Sequence, residues 1–178
     1  MKKTDNHYLS EKVQLRKEVI SLVKNPNILE CFAGKGVLYK QLKKEVDFKI
    51  TSIEIEHNKN KSAHLTGDSY KYLLSLDLTK YNIIDLDAYG IPFKYIEHIV
   101  NTGFKGYVIV TAIQTGMGKL PNKLLITLGY TKEMIKKIPT LFNSNGLEKL
   151  KNYLYLVGIK EITGYFINRK NYFYFVCV

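Results

Sequence analysis

The apolar positions of the chain change repeatedly between helical spacing and the short, unbroken runs of buried strands. In residues 11–24, valines and leucines recur at helical spacing, which predicts a helix that Asn25-Pro26 ends. Residues 107–112 are instead β-branched and apolar, which is typical of a strand covered on both faces. The pattern predicts helices over residues 11–24, 36–45, 69–76, 92–102, 119–128, 131–138 and 146–157. It predicts strands over a run beginning at Ile28 and over residues 48–55, 61–66, 81–86, 107–112, 159–167 and 171–178.

Strands and helices alternate over most of the chain, and the last two strands have no helix between them. Right-handed crossovers make the first five strands parallel, with helices on both faces of the sheet. Only a short turn at 168–170 separates the last two strands, so they should form an antiparallel hairpin. We therefore predict an α/β fold with a seven-stranded, mostly parallel, Rossmann-like sheet and an antiparallel C-terminal hairpin. It forms a single domain over residues 1–178, with an N-terminal helix.

Residues 28–36 combine an apolar run, an acidic residue and a Gly-x-Gly turn, and a helical pattern follows. This is the strand–turn–helix opening of a nucleotide-binding α/β fold. Tyr39 stands where the dinucleotide fingerprint has its third glycine, and Glu30 would repel a pyrophosphate but suits an ammonium group. Glu54, 20 residues beyond Gly34, can accept hydrogen bonds from ribose hydroxyls. A ligand with a ribose, an ammonium group and no phosphate is S-adenosylmethionine, which is the predicted cofactor.

Composition indicates one globular domain, since 46% of the 178 residues are hydrophobic. No apolar run approaches the roughly 20 residues that a membrane-spanning helix needs. Residues 1–7 lack the apolar stretch of a signal peptide. Cys31 and Cys177 have no metal-ligand spacing and lie in apolar runs, so we expect buried, inert thiols. We therefore expect a cytoplasmic protein with no membrane partner and no metal.

The net charge is +11, from 27 Lys and Arg residues against 16 Asp and Glu residues. Such a surplus favours a polyanionic partner, notably nucleic acid. The alternative is a codon bias toward lysine, because Lys, Asn, Ile and Tyr are all abundant. The lysines are scattered rather than gathered in one basic tail.

The segment at residues 83–92 resembles the fourth motif of the tRNA guanine-N2 dimethyltransferase family, and the resemblance extends over about residues 27–115. Ala88 stands where that family has proline. The matching residues are Asp85, Asp87, Tyr89, Gly90 and Pro92. The predicted order of elements is also the layout of class I methyltransferases generally. The resemblance implies an S-adenosylmethionine-dependent enzyme of tRNA processing that methylates an exocyclic base amine in RNA.

Asp87 and Tyr89 are the candidate catalytic residues. Asp87, at a strand tip, can accept the N–H bonds of a weakly nucleophilic base amine and so orient its lone pair. Tyr89 offers a ring on which an extruded base can stack, and Gly90 lets the backbone approach that base. The structural alternatives are that Asp87 caps the helix starting at Pro92 and that Tyr89 belongs to the core.

Two cofactor assignments have close competitors. Glu54 is preferred to Glu56 for the ribose because Glu54 ends the apolar run. Asp68 either binds the adenine amine, as the resemblance implies, or caps the helix that starts at Ser69. The predicted cofactor-binding residues are Glu30, Phe32, Gly34, Gly36, Glu54, Asp68 and Asp85.

Substrate binding is assigned to Gly90, Pro92, Lys119 and Lys123, of which the two lysines follow a predicted flexible loop at 114–118. Simple solvation is the alternative role for these lysines. Three functions stay open. The favoured one is an RNA base-amine methyltransferase. The others are a methyltransferase for DNA, protein or a small molecule, and a non-catalytic cofactor-binding partner subunit.

Overall fold

The computed structural model describes residues 8–114 and 118–178, and within these ranges the chain alternates strands and helices. The strands are β1 (Asn27–Cys31), β2 (Lys49–Glu54), β3 (Leu65–Thr66), β4 (Ile83–Asp87), β5 (Gly106–Ile113), β6 (Thr163–Ile167) and β7 (Lys170–Cys177). The helices are α1 (Leu9–Ser21), α2 (Val37–Leu42), α3 (Ser69–Ser75), α4 (Phe93–Asn101), α5 (Asn122–Thr127), α6 (Lys132–Lys137) and α7 (Gly146–Leu156).

All seven of these strands belong to one sheet in the order β3-β2-β1-β4-β5-β7-β6. The strands β1 to β5 pair in parallel, whereas β7 is antiparallel to both β5 and β6. The predicted α/β fold, with its seven-stranded sheet and antiparallel hairpin, is therefore confirmed. The strand order reverses between β1 and β4, and ligands of open α/β sheets bind at such a point, beyond the carboxyl ends of the strands.

Alternate residues of the strands pack on opposite faces of the sheet. Ile28, Ile83 and Ile109 belong to an apolar cluster with α1 and α2. Their chain neighbours, such as Leu29 and Ile84, belong to a larger cluster with α3 to α7. Both faces of the central strands are thus covered, which explains why these strands are almost continuously apolar in the sequence.

Several element boundaries differ from the sequence-based predictions, and three of them have a clear local cause. The helix α1 ends at Ser21 rather than at 24, because its last turn tightens and Asn25 adopts a left-handed φ of 56°. The strand β3 is only two residues long, since the Asn60 side chain accepts hydrogen bonds from Ser62 and makes a local turn. The helix α5 begins after the extended Pro121 rather than at 119.

The two thiols lie where the apolar runs predict, although not to the same depth. Cys31 is fully buried, and burial raises its pKa. Cys177 is half-buried, and burial raises its pKa to about 11. Neither thiol is a reactive thiolate near neutral pH. Among the helices of the described ranges, none is long and apolar enough to cross a membrane.

Candidate functional site

Four carboxylates lie at the carboxyl ends of β1, β2 and β4, on the sheet face that α1 covers. The register pairs Glu30 with Asp85, and it also pairs Glu30 with Ser52, two residues before Glu54. Because side chains alternate along a strand, Glu54 and Asp87 share this face with Glu30 and Asp85. Glu30, Glu54 and Asp85 are all buried. The fold therefore brings together here most of the acidic residues that were candidates for the site in the sequence.

Two cations of α1 neutralise the carboxylates of β4. The Arg16 guanidinium binds Asp85 through two parallel hydrogen bonds of 2.7 Å, from Nε to Oδ2 and from Nη2 to Oδ1. The Tyr39 hydroxyl donates a third, 2.7 Å bond to Asp85 Oδ2. The Lys12 Nζ lies 2.7 Å from Asp87 Oδ1, and Arg16 Nη2 lies 3.7 Å from the same atom. The helix α1 is thus held on the sheet by a buried, charge-assisted network.

The opposite charges of α1 and β4 shift the pKa values of Arg16 and Asp87 so that both groups stay ionised. Burial alone would lower the pKa of Arg16, but the Asp85 and Asp87 carboxylates outweigh it and raise that pKa. Burial also opposes ionisation of Asp87, yet Arg16 and Lys12 outweigh it and lower the pKa of Asp87. Asp87 is therefore a carboxylate at neutral pH.

Glu30 has the opposite electrostatics, and it is only 5% exposed. Burial, reinforced by the negative charges of Asp85 and Asp87, raises the pKa of Glu30 well above its ordinary value of 4.5. Among the described residues, none forms a salt bridge with its carboxylate. A buried acid without a cationic partner is costly to ionise, so a cation brought to this position would be strongly held.

The turn after β1 has left-handed backbone angles, and a hydrogen bond connects it to the end of β2. Phe32, Gly34 and Gly36 have left-handed φ angles of 69°, 55° and 67°. The Gly34 amide donates a 2.7 Å hydrogen bond to Glu54 Oε2, and the Glu56 amide lies 3.3 Å from Oε1 of the same carboxylate. An added Cβ at Gly36 would lie 3.0 Å from Asn60 Nδ2, which is a tight contact. This contact and the left-handed φ of 67° both favour glycine at this position.

The two acidic candidates for the ribose have different surroundings. Glu54 is buried and holds the glycine turn, whereas Glu56 is exposed and lies 3.9 Å from Lys59. Ile55, between them, is 63% exposed at the end of β2. An isoleucine there can cover the flat face of a nucleobase, and sequence analysis missed it. The available signal was an apolar residue directly after the last buried acid of a strand.

Asp68 caps the helix α3, since its Oδ1 accepts a 2.8 Å hydrogen bond from the Tyr70 amide. The capping alternative therefore holds, and a contact to an adenine amine would use the other oxygen. Phe32 lies nearby in an aromatic cluster, in which its ring and the Tyr70 ring are 5.0 Å and 5.1 Å from the ring of Tyr95. A shallow groove of about 340 Å³ runs beside Asp68 and along α3.

The segment after β4 leaves Tyr89 at the surface, where it is 65% exposed, so it is not a core residue. Asp87 does not cap α4 as the structural alternative proposed, because its carboxylate binds Lys12. Gly90 has a φ of 126° and open space beside its Cα, and Pro92 begins α4. An exposed ring and an accessible backbone thus follow directly on an ionised carboxylate.

The two predicted substrate lysines are not equivalent. The Lys123 ammonium lies 2.5 Å from Glu97 and 5.6 Å from the centre of the Phe93 ring. Lys119 is exposed, and the loop residues 115–117 that precede it lie outside the described residues. Within residues 8–114 and 118–178, no group of three or more His, Cys, Asp and Glu side chains is placed to hold a metal ion.

Comparison with known proteins finds likeness in structure and none in sequence. No protein-family model matches the chain, and no curated protein matches it. A SAM-dependent methyltransferase from Archaeoglobus fulgidus superposes with a TM-score of 0.52 at 16% identity, over 85% of this chain and 69% of that one. The putative methyltransferase yhhF from Escherichia coli gives 0.55 at 14% identity, over 99% and 88%.

A third solved structure is phosphoethanolamine N-methyltransferase 2 from Haemonchus contortus in complex with S-adenosyl-L-methionine. It superposes with a TM-score of 0.55 at 14% identity, over 86% of this chain. This chain spans only 37% of the length of that enzyme. At such low identity the likeness establishes architecture rather than activity. The chain therefore has the Rossmann-like fold of the S-adenosylmethionine-dependent methyltransferases.

Proposed function

We propose that the chain is an S-adenosylmethionine-dependent methyltransferase that acts on an exocyclic base amine in RNA, with guanine N2 as the favoured target. The observation that carries the proposal is the unequal treatment of the four carboxylates. Asp87 is ionised by cations of the fold, whereas Glu30 is buried beside the glycine turn and forms no salt bridge with a cation of the described residues. The first suits a group that holds an acceptor, and the second suits a group that awaits a cationic cofactor.

The residues around the glycine turn fit this cofactor. Glu30 supplies the negative charge for the methionine ammonium, and the buried Glu54 supplies acceptor oxygens for the ribose hydroxyls. The exposed Ile55 covers the adenine ring. The Haemonchus contortus enzyme, which has a similar fold, is in complex with this cofactor. When bound, the cofactor supplies an activated methyl group on a positively charged sulfur.

Asp87 would act by orienting the acceptor rather than by removing its proton first. Its lowered pKa makes the carboxylate a weak base but a strong hydrogen-bond acceptor. Lys12 and Arg16 both approach Oδ1, and the other oxygen, Oδ2, would accept an N–H of the target amine. As the amine nitrogen forms its bond to the methyl carbon, the carbon–sulfur bond would break with its electron pair left on sulfur, and the surplus amine proton would leave to water. Tyr89 would stack on the base that carries this amine.

The experiment is methyl transfer from labelled cofactor to separate RNA, DNA, protein and small-molecule fractions. Label in RNA that is lost in the Asp87→Asn variant supports the proposal. Label only in another fraction assigns the acceptor to that class and overturns the RNA part. Cofactor binding without transfer to any fraction would identify a cofactor-binding subunit instead.

A further inference from the structure

A groove of about 470 Å³ lies between the start of α1 and the turn that joins β6 to β7. Its lining residues are Tyr8, Ile167, Asn168, Arg169 and Lys170. Two of these five are cationic and one is aromatic, and the described lining includes no acidic residue. Sequence analysis assigned no role to any of them.

Strand register places this groove at the same edge of the sheet as Asp87. Asp87 pairs with Thr111 of β5, and Thr111 pairs with Tyr172 of β7. Neighbouring strands lie about 4.8 Å apart, so Tyr172 is about two strand spacings from Asp87. The turn follows two residues further toward the carboxyl edge of β5, where Ile113 pairs with Lys170. The groove therefore adjoins the acceptor site, on the side away from Glu54.

Arg169 is exposed, but contacts with neighbouring residues restrict it. The Gln114 amide at the end of β5 donates a 2.9 Å hydrogen bond to the Arg169 carbonyl. The guanidinium lies against Gly118, where an added Cβ would come within 2.8 Å of Arg169 Cζ. Asn168 precedes it with a left-handed φ of 54°, which asparagine tolerates in tight hairpin turns. The guanidinium is thus exposed but preorganised.

The use of arginine at this position is selective. Only two of the 27 basic residues are arginines, and the other 25 are lysines. Arg16 binds Asp85 through a two-pronged contact that the single ammonium of lysine cannot reproduce. Arg169 is the second arginine, and its planar fork matches a phosphate in the same way. A lysine-rich composition alone does not explain an arginine at the tip of this turn.

An aromatic wall continues from the groove toward Asp87. Tyr8 is 37% exposed, and its ring lies 6.4 Å from the ring of Tyr172. The Lys170 ammonium lies 5.8 Å from the Tyr8 ring, and the Lys12 ammonium lies 5.7 Å from the Tyr172 ring. Lys12 in turn binds Asp87. Tyr172 and Lys12 are buried, so the accessible part of this row is Tyr8 together with Arg169 and Lys170 of the turn. An exposed ring beside cations suits a nucleic-acid strand, whose bases stack and whose phosphates are anionic.

We propose that this groove, defined by Tyr8 and residues 167–170, binds the backbone phosphate of a nucleotide that adjoins the target base in RNA. The Arg169 guanidinium contacts the phosphate, and Tyr8 packs against the neighbouring sugar or base. The inference rests on the proposed function, because it takes the acceptor to be RNA. Charge complementarity and the adjacent acceptor carboxylate favour this occupant.

The test measures the binding of a short single-stranded RNA by fluorescence anisotropy over a range of salt concentrations. Arg169→Ala should weaken binding by about tenfold and reduce the salt slope by about one counterion. Arg169→Lys should keep the slope and recover only part of the affinity. Lys24→Ala also removes one positive charge, but Lys24 lies at the amino ends of the parallel strands, so this variant is the matched control. Melting temperatures verify that every variant is folded.

Equal affinities of the Arg169→Ala and Lys24→Ala variants would overturn the groove proposal, as would the absence of RNA binding by the wild type. Preferential competition by an acidic peptide would assign the groove to a protein partner and also overturn it. Methyl transfer measured on the same samples separates the two proposals. RNA binding that depends on Arg169, without transfer to RNA, contradicts the function alone. Transfer to RNA with KM unchanged in Arg169→Ala contradicts the groove alone.

Discussion

Asp85 and Asp87 at the end of β4 and Glu30 at the end of β1 are acids on the same face of the sheet, but the charges around them are opposite. Asp85 and Asp87 receive Arg16 and Lys12 from α1, so their charges belong to the fold. Glu30, paired with Asp85 across the sheet, receives no such cation from the described residues. Asp85 and Asp87 therefore hold α1 on the sheet, whereas under the proposed function Glu30 is the residue that binds the cation of a ligand.

The largest effect should follow from removing the cation that pairs with Asp85 at the end of β4. Arg16→Met removes the partner of a fully buried Asp85 and should lower the free energy of unfolding by about 3–5 kcal/mol. Lys17→Met is the control on the same helix, because the pair of Lys17 with Glu45 is exposed to solvent and contributes at most about 1 kcal/mol. Urea denaturation measures both. Equal costs for the two variants would show that Arg16 is not a structural partner of Asp85.

The next effect concerns Asp87 itself. Asp87→Asn removes the charge that orients the acceptor and should lower methyl transfer about a hundredfold, with cofactor affinity unchanged. It also leaves Lys12 buried without its carboxylate, so some stability is lost. The double variant Lys12→Met/Asp87→Asn should recover stability but not transfer. Wild-type turnover in Asp87→Asn would remove Asp87 from the mechanism.

The two acidic residues at the end of β2 provide a matched comparison. Glu54→Ala should weaken cofactor binding by about 1.5–3 kcal/mol, the scale of hydrogen bonds to a charged group. Glu56→Ala should leave binding unchanged, since Glu56 is exposed and faces Lys59. Calorimetric titration with S-adenosylhomocysteine measures both affinities. The reverse ranking would move the ribose contact to Glu56.

The smallest effect concerns how the stability of the protein depends on pH through Glu30, at the end of β1. The pKa of Glu30 is raised in the folded protein, so above its ordinary value of 4.5 the folded state binds more protons than the unfolded state. Glu30 therefore reduces stability as pH rises from about 4.5 toward its folded pKa. Glu30→Gln should be more stable than the wild type at neutral pH, and the gap should narrow in mild acid. If Glu30→Gln left the pH profile of urea unfolding unchanged, burial would not raise the pKa of Glu30 in the folded protein.

Sequence analysis predicted the parts of the site that depend on local pattern. Gly34, Gly36 and Glu54 follow from the order strand, turn, helix and strand, and the structure joins the Gly34 amide to the Glu54 carboxylate. The parallel pairing of the first five strands and the antiparallel terminal hairpin likewise followed from the alternation of elements. Such features can be predicted because neighbouring residues determine them.

The neutralising cations could not be assigned in this way, because Arg16 and Asp85 are 69 residues apart in the chain. Periodicity specifies the face on which a residue lies but not its partner on another element. A signal was nevertheless present. Lys12 and Arg16 are four residues apart on the apolar side of α1, so the helix would bury two cations unless acids met them.

The most direct test of the account is the protonation of Glu30 during cofactor binding. Titration calorimetry with S-adenosylhomocysteine, in two buffers of different ionisation enthalpy at neutral pH, counts the protons exchanged. We expect that the wild type releases protons and binds more tightly as pH rises, because the cofactor ammonium requires the Glu30 carboxylate. Glu30→Gln should bind more weakly, release none and lose the pH dependence. Equal affinity and equal proton exchange in the two proteins would contradict the assignment of Glu30 to the cofactor.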